Sequence, residues 1–176
     1  MLFLALLRGI NVGGNKKVEM PKLKQVFEGL GYANVSTYIN TGNVLFESAS
    51  EDFSAIEPAL AKAFGFEVRT VIRSAENIKK LCEKIPEEWQ NDGKQKTDIL
   101  FLWDAFDRAS VVDEIRIAPD LDRVKYSEGA LIWNIQVKDW GKSGMSKFVG
   151  TPLYKNMTAR NVNTVRKLNA LLQLKK

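Results

Sequence analysis

The sequence predicts an α+β protein that opens with a βαββαβ unit over residues 1–73. Three observations support this fold class. Residues 2–7 are apolar at every position, which is typical of a strand buried on both faces of a sheet. The segments that follow switch between helical and strand periodicity. With 176 residues, the chain is long enough to bury a hydrophobic core without disulfides or structural metals.

Local signals predict the elements of this unit. Pro21 suits the first turn of a helix, apolar residues then recur with helical spacing, and Gly31 ends the helix. Thr41 and Gly42 predict the turn of a β-hairpin. The remaining predicted elements are hairpin strands at 35–40 and 43–47, a helix at 52–64 and a strand at 66–73.

This element order is that of the ferredoxin-like split βαβ fold, in which the first and third strands are central. The sequence agrees, because the first and third predicted strands carry apolar runs. The second and fourth alternate between polar and apolar residues, as edge strands do. We therefore predict a ferredoxin-like N-terminal half.

A second α+β half is predicted at residues 97–176, after a ferredoxin-like domain with a trailing helix at 1–85. The boundary lies in the polar stretch 86–96, which contains the turn residues Asp92 and Gly93. The order of elements resembles the first half, so a degenerate ferredoxin-like duplication is predicted, although no residue-level repeat supports it. The predicted elements are a strand at 98–103, a helix at 107–115, hairpin strands at 123–127 and 130–136, and helices at 143–149, 152–157 and 161–174.

The composition excludes several kinds of chemistry. The chain has no histidine and one cysteine, Cys82, which removes Ser-His-Asp and Cys-His catalysis and zinc sites made of histidine or several cysteines. A single cysteine predicts a core thiol and a reducing, cytoplasmic compartment. The apolar run before Arg8 is too short to span a membrane, so we expect a soluble protein without a membrane partner. We predict no cofactor, and the lack of a recognisable catalytic motif favours a protein that is not an enzyme.

Acidic residues cluster between positions 98 and 122. Paired carboxylates could hold Mg²⁺ or transfer protons, but these lie mainly in polar turns or on a helix face, so we expect solvated surface groups and no metal site. The four tryptophans are expected to contribute core or interface area. The acidic residues are Asp98, Asp104, Asp107, Asp113, Glu114, Asp120 and Asp122.

The net charge of +5 is unevenly distributed. From Gly141 to the C-terminus there are eight basic residues and no acidic one, whereas the first 140 residues hold 18 basic and 21 acidic residues, a net charge of −3. This asymmetry favours an anionic partner, either nucleic acid or a phosphorylated small molecule. Solvated lysines on a helix face explain it almost as well.

The first predicted strand is followed by a glycine-rich loop, RGINVGGN at 8–15. The loop matches neither the G-x-G-x-x-G fingerprint nor a P-loop. Its glycines still allow backbone N–H groups to approach an anion, with basic side chains nearby to neutralise it. An alternative, at least as well supported, is that the glycines only permit a sharp crossover. The ligand-binding residues predicted here are Arg8, Asn11, Gly13, Gly14 and Lys17.

A second candidate segment is TARNVNTVRKL at 158–168, which is typical of a helix N-terminus rich in capping residues. A cap with an adjacent arginine can bind an anion through free amides, the helix dipole and the guanidinium. The predicted ligand-binding residues are Thr158, Arg160, Asn161 and Lys167. The alternative is that the asparagines only cap the helix.

RNA-recognition modules share the topology predicted for the first half. Their central strands need aromatic residues in the pattern K/R-G-F/Y-G/A-F, which residues 43–47 lack. The apolar first strand also predicts that both faces of the sheet are covered. The sheet is therefore a poor nucleic-acid platform.

Three segments, ALLRGINVGG at 5–14, YINTGNV at 38–44 and TARNVNTVRKL at 158–168, together resemble a bacterial family known as domain of unknown function 1697. The resemblance runs the length of the chain and implies a fold of ferredoxin-like halves, but no activity, substrate or cofactor. The family usually has tryptophan where this chain has Val162. The second segment adds Tyr38 and Asn43 to the predicted ligand-binding residues.

Three functional hypotheses follow. The first is a binding protein for a phosphate-bearing partner, with Arg8 and Arg160 in one site. The second is an enzyme acting on a small phosphorylated or carboxylated metabolite, with Tyr38 or Lys17 as the proton-transfer group. The third is a structural role only, in which both motifs pack the two halves together.

Overall fold

The computed structural model describes residues 1–14 and 16–175, so Asn15 of the glycine-rich loop and the C-terminal Lys176 lie outside the described residues. By its internal contacts, the chain divides into two compact units. The first contains Met1–Ala75 and Leu171–Lys176, and the second contains Glu76–Ala170. The division into these two units does not test the predicted domain bounds of 1–85 and 97–176, which stay a prediction.

The first unit contains one four-stranded sheet and two helices. Its elements are β1 (Leu2–Leu7), α1 (Met20–Gly29), β2 (Ala33–Tyr38), β3 (Asn43–Glu47), α2 (Ile56–Phe64) and β4 (Thr70–Ser74). The strands are ordered β2-β3-β1-β4, and every neighbouring pair is antiparallel. The predicted placement of the first and third strands at the centre is therefore confirmed.

One hydrophobic core lies between this sheet and its helices. Phe3 and Leu7 of β1 pack in this core with Phe27 of α1 and Leu60 of α2. Leu4, on the opposite face of β1 because side chains alternate along a strand, is fully buried as well. The predicted burial of both faces of the first strand is confirmed.

The second unit contains a second four-stranded antiparallel sheet, ordered β6-β7-β5-β8. The predicted hairpin at 123–127 and 130–136 is confirmed. The helices and strands after β4 are α3 (Ala75–Lys84), β5 (Gln95–Leu102), β6 (Arg123–Ser127), β7 (Ala130–Gln136), α4 (Gly144–Phe148), β8 (Met157–Asn161) and α5 (Val162–Leu174).

Two predicted helices of the second half are wrong. The segment 107–115 contains a 3-10 turn, Ala109–Glu114, instead of an α-helix, and this turn follows a first 3-10 turn at Asp104–Phe106. Only Val111 is buried within the second turn, so its apolar stripe is too short to stabilise a longer helix. The predicted helix at 152–157 is likewise reduced to a single 3-10 turn.

Strand β8 was missed by the sequence reading, which placed its residues at a helix N-terminus. Met157 and Ala159 pack with the hydrophobic core of the second unit, whereas Thr158 and Arg160 alternate with them. This two-residue period is that of a strand. The helix α5 begins only at Val162.

The last strand of each sheet ends in a similar way. VIRSAENIKKL at 71–81 aligns with TARNVNTVRKL at 158–168, and in both segments a strand ends one residue after an arginine and a helix follows at once. Arg73 and Arg160 are each 8% exposed, and each donates from Nη1 to the preceding carbonyl at 2.8 Å. The two segments share identical residues at three of eleven positions, and the predicted duplication stays a prediction.

The fold is of the mixed α+β class, with two four-stranded antiparallel sheets and helices. In the part of the chain that the structure describes, no helix is both long and apolar enough to span a bilayer.

Candidate functional site

Asn11 holds the glycine-rich loop of the first unit. Its backbone is left-handed, with φ of 54°, a conformation that asparagine visits more readily than most residues. Its Oδ1 accepts from the Val18 N–H at 2.8 Å, and its Nδ2 donates to the carbonyls of Val18 at 2.9 Å and Asn40 at 2.7 Å. The Asn11 N–H also donates to the Lys16 carbonyl at 3.1 Å. The Asn11 amide thus serves the loop itself, and its predicted contact with a ligand stays a prediction.

Gly42 packs against the same loop. Its φ is 79°, and a Cβ at this position would come within 2.7 Å of Ile10 Cδ1 and 2.8 Å of Leu7 Cβ. The Leu7 N–H donates to the Gly42 carbonyl at 2.9 Å. The close approach requires glycine, and the structure thereby brings the segments 5–14 and 38–44 together.

Asn43 organises the turn that carries Gly42. It is fully buried at the start of β3, and its Nδ2 donates to the Tyr38 carbonyl and to the Thr41 hydroxyl, both at 2.9 Å. Tyr38 is half-buried at the end of β2 and pairs with Asn43 across the hairpin. Asn43 therefore supports the turn from inside the unit.

Gly13, Gly14 and Lys17 form the exposed part of the loop. The two glycines are left-handed, with φ of 61° and 77°. A cavity of about 640 Å³ opens beside them. Three of the predicted ligand-binding residues share this cavity, whose lining consists of Asn11, Gly14, Lys17, Val18, Glu19, Met20, Pro21 and Asn40.

The basic side chains near this cavity differ in their burial and in their bonding partners. Arg8 is half-buried where β1 ends. Lys16 donates from Nζ to the Glu67 carbonyl at 3.3 Å. Lys17 contacts Glu19 at 3.4 Å, but both side chains are largely exposed, so this ion pair is weak. Lys17 is therefore well placed to exchange its partner for a ligand.

Arg160 lies inside the second unit. Its Nη1 donates to the Thr158 hydroxyl at 3.1 Å and to the Ala159 carbonyl at 2.8 Å, and Thr158 is only 2% exposed. Burial lowers the pKa of Arg160 to about 10, so the guanidinium is still a cation at neutral pH. The predicted sharing of one site by Arg8 and Arg160 stays a prediction.

Asn161 caps α5. Its Oδ1 accepts from the Thr164 N–H at 2.8 Å, which satisfies one of the amides that a helix start leaves without an intrahelical partner. Lys167 is exposed on α5. Asn161 therefore makes the cap that was the alternative to a ligand contact, and its predicted role in ligand binding stays a prediction.

A second cavity, of about 350 Å³, lies in the second unit, and two of the predicted ligand-binding residues, Arg160 and Asn161, line it. Lys96 Nζ lies 2.5 Å from Asp98 Oδ2 and 5.1 Å from the centroid of the Trp140 ring. The Asp98 side chain is 16% exposed, so its expected position in solvent is wrong. The sequence signal for the burial of Asp98 was its spacing, because Asp98 lies two residues from both Lys96 and Leu100 and therefore on the same face of the strand. The polar and aromatic lining of this cavity consists of Asn91, Lys96, Asp98, Trp140, Tyr154, Arg160 and Asn161.

The predicted solvent exposure of Asp122 is also wrong, since only 5% of this residue is exposed. It accepts from the N–H groups of Ala118 and Gly144 at 2.7 Å, from Trp133 Nε1 at 3.0 Å and from the Ser143 hydroxyl. Burial raises the pKa of Asp122, but these hydrogen bonds outweigh it, so the pKa lies below its ordinary value. The carboxylate has a structural role here.

Cys82 is half-buried in α3. Burial raises the pKa of its thiol to about 11, against a smaller opposing effect of Arg166, so little thiolate exists at neutral pH. This agrees with the predicted unreactive thiol. Within residues 1–14 and 16–175, no group of three cysteine or acidic side chains is placed to hold a metal ion.

Comparison with known proteins gives a family and a fold. The family described as "Protein of unknown function (DUF1697)" matches residues 1–133. Among solved structures, the conserved bacterial protein SP0830 from Streptococcus pneumoniae is similar to this chain, with 26% sequence identity and a TM-score of 0.80. The match covers 97% of this chain and 98% of that protein. No curated protein matches the chain.

Proposed function

The chain belongs to the DUF1697 family of proteins of unknown function, and we propose that it binds a phosphate-bearing partner through the glycine-rich loop of its first unit. The supporting observation is that Asn11, Gly14 and Lys17, which were selected from the sequence for phosphate binding, line one cavity. The phosphate belongs to a nucleotide or to a nucleic acid.

The loop suits an anion for three physical reasons. Left-handed Gly13 and Gly14 expose backbone N–H groups without a side chain to block them. Lys17 adds a positive charge that is held only by a weak surface pair. Asn11 fixes the loop in advance, which reduces the entropy lost on binding.

The remaining predicted residues take supporting roles in this proposal. Arg8 contributes charge behind the loop, and Asn43 with Tyr38 holds the neighbouring turn. Lys167 contributes long-range attraction only. We assign no phosphate contact to Arg160, since it is buried and hydrogen-bonded to Thr158.

The proposal is tested by fluorescence anisotropy of a labelled single-stranded oligonucleotide, with ATP as competitor, at two salt concentrations. Lys17→Ala should weaken binding by about three- to tenfold and lower the salt slope by about one counterion, because one phosphate contact is lost. A steep salt slope would favour nucleic acid. Competition by ATP with little salt dependence would favour a nucleotide.

Lys62→Ala is the matched control, since Lys62 is exposed on α2 of the same unit and outside the cavity lining. It removes the same charge and should leave binding unchanged. The proposal fails when neither probe binds to the wild-type chain. Equal weakening by both substitutions would also contradict a specific site.

An enzyme acting on a small anionic metabolite is a second candidate. The cavity beside Lys17 has about 640 Å³, which lies within the range of roughly 300–1,000 Å³ that small-molecule sites occupy. Thermal-shift screening with phosphorylated and carboxylated metabolites should then reveal a stabilising ligand. Loss of that shift in Lys17→Ala or Tyr38→Phe would support the candidate, and the absence of any shift would count against it.

We also propose that each unit is ferredoxin-like and that the protein is cytoplasmic and bacterial. The strand orders β2-β3-β1-β4 and β6-β7-β5-β8 support the first assignment. The single cysteine supports a reducing compartment, and the similar structure comes from a bacterium. Fractionation of the native host, with the chain outside the cytoplasmic fraction, would contradict the location.

A further inference from the structure

The cavity of the second unit contains an ion pair above an apolar floor. We propose that it binds a free amino acid, as a zwitterion, with an apolar or aromatic side chain. This inference concerns the second unit only and does not depend on the phosphate site. Its ligand class follows from the charges, the amides and the apolar surface of the cavity.

The charges favour a ligand that carries both signs. Lys96 and Asp98 are in contact at 2.5 Å, and their side chains are 36% and 16% exposed, so both are partly removed from water. The cavity is also lined by the cation Arg160. A ligand with only a positive charge would be repelled by Lys96 and Arg160, and a ligand with only a negative charge would leave Asp98 without a partner of its own. A zwitterion offers its ammonium group to Asp98 and its carboxylate to the two cations.

The amide groups of the rim favour the same orientation. Asn161 uses its Oδ1 for the Thr164 N–H, which fixes the amide and leaves its Nδ2 to donate to another acceptor. The Asn91 carbonyl accepts from Asn163 Nδ2 at 3.0 Å, which fixes the backbone beside the cavity. Together with Lys96, the amide donor of Asn161 suits a ligand carboxylate.

The floor and walls accommodate the side chain of the ligand. Leu100, Met145 and Ala159 form an apolar floor, and Trp140 and Tyr154 supply aromatic surface. The volume of about 350 Å³ lies at the lower end of the range of roughly 300–1,000 Å³ for ligand sites. This size favours a single amino acid over a larger ligand such as a dinucleotide.

Isothermal titration calorimetry of the full chain with L-phenylalanine and L-leucine tests the proposal. The analogues 3-phenylpropionate, which lacks the ammonium group, and 2-phenylethylamine, which lacks the carboxylate, should each bind at least about tenfold more weakly than L-phenylalanine. Equal binding of either analogue would overturn the charge argument. The absence of binding by both amino acids would overturn the site.

Substitutions locate the binding. Asp98→Asn and Lys96→Gln should each weaken L-phenylalanine binding by about tenfold, because each removes one charge-assisted contact. Lys94→Gln is the matched control, since Lys94 is exposed and outside the cavity lining, and it should bind as the wild type does. An equal loss in Lys94→Gln would overturn the assignment. Lys17→Ala should retain amino-acid binding, which separates failure of this proposal from failure of the phosphate proposal.

Discussion

Each unit fixes a loop with one polar side chain, and the two side chains differ in charge and exposure. In the first unit, the neutral amide of half-buried Asn11 donates to two carbonyls and accepts one N–H. In the second unit, the Asp122 carboxylate is 5% exposed and accepts four hydrogen bonds. An amide closes its loop without adding negative charge, which keeps the neighbouring surface suitable for an anion.

A carboxylate in place of Asn11 would repel a phosphate, whereas a carboxylate at Asp122 is enclosed by its donors. The first-unit loop is the one for which we propose a partner, whereas the loop at Asp122 has a structural role. Substitutions in the two loops should differ accordingly, both in their effect on unfolding and in their dependence on pH.

Asp122→Asn should have the largest effect. An amide offers one acceptor oxygen where the carboxylate offers two, so buried donors would lose their partner, and the free energy of unfolding should fall by about 3–5 kcal/mol. Urea denaturation followed by tryptophan fluorescence measures the change. Asp120→Asn, at an exposed position nearby, should change stability by less than about 0.5 kcal/mol. Similar losses in both variants would contradict the structural role of Asp122.

The Asp122 interaction should also depend on pH. Because the pKa of this carboxyl is lower in the folded chain, its contribution to stability is present above the ordinary aspartate pKa of about 4. The contribution is lost as the pH falls from about 4 through the lower pKa of the folded state. Unfolding experiments across this range should show that Asp122→Asn reduces the acid dependence, whereas Asn11→Ala leaves it unchanged.

Gly42→Ala tests the packing of the first-unit loop. The added Cβ would clash with Ile10 and Leu7, and the alanine would have to adopt a left-handed backbone conformation. The free energy of unfolding should therefore fall by about 3 kcal/mol. Gly14→Ala is the matched control, because Gly14 has a similar φ but open space around it, and it should lose only about 1 kcal/mol. An equal loss at the two positions would show that backbone strain alone matters.

Asn11→Ala should lower the free energy of unfolding by about 2 kcal/mol, since three hydrogen bonds of its side chain are lost. It should also weaken phosphate binding, because the loop is no longer fixed. Asn40→Ala serves as the control for stability, since only the backbone carbonyl of Asn40 takes part in the contact with Asn11. A binding loss in Asn11→Ala without any loss of stability would indicate direct contact with the ligand.

Asn161→Ala should have the smallest effect on stability, about 1 kcal/mol, which is typical for the loss of a helix cap. Asn161→Asp retains the acceptor and should recover most of this loss. Thermal denaturation measures both variants. If Asn161→Asp is as unstable as Asn161→Ala, the cap is not the reason for the effect.

The local pattern was a good guide to the first unit. The apolar run of β1, Pro21 at the start of α1 and the turn at Gly42 predicted its elements and the central strands. These signals are local, because spacing, proline and glycine act on the backbone nearby. The two segments that meet at Gly42 could likewise be selected from the sequence. The sequence did not show why position 42 is glycine, which is that a Cβ there would lie 2.7 Å from Ile10 Cδ1.

Other features depended on tertiary structure. Residues 157–161 have caps and an arginine that are typical of a helix start, yet their pairing with β5 makes them a strand. Asp98 and Asp122 look like surface acids in sequence. Asp98 lies on β5, which pairs with β7 and β8, and Asp122 accepts from Trp133 and Gly144. By itself, the sequence determined the fold class, the loop after β1 and the family. Only the tertiary structure decided which polar side chains are buried, because burial depends on partners far apart in the chain.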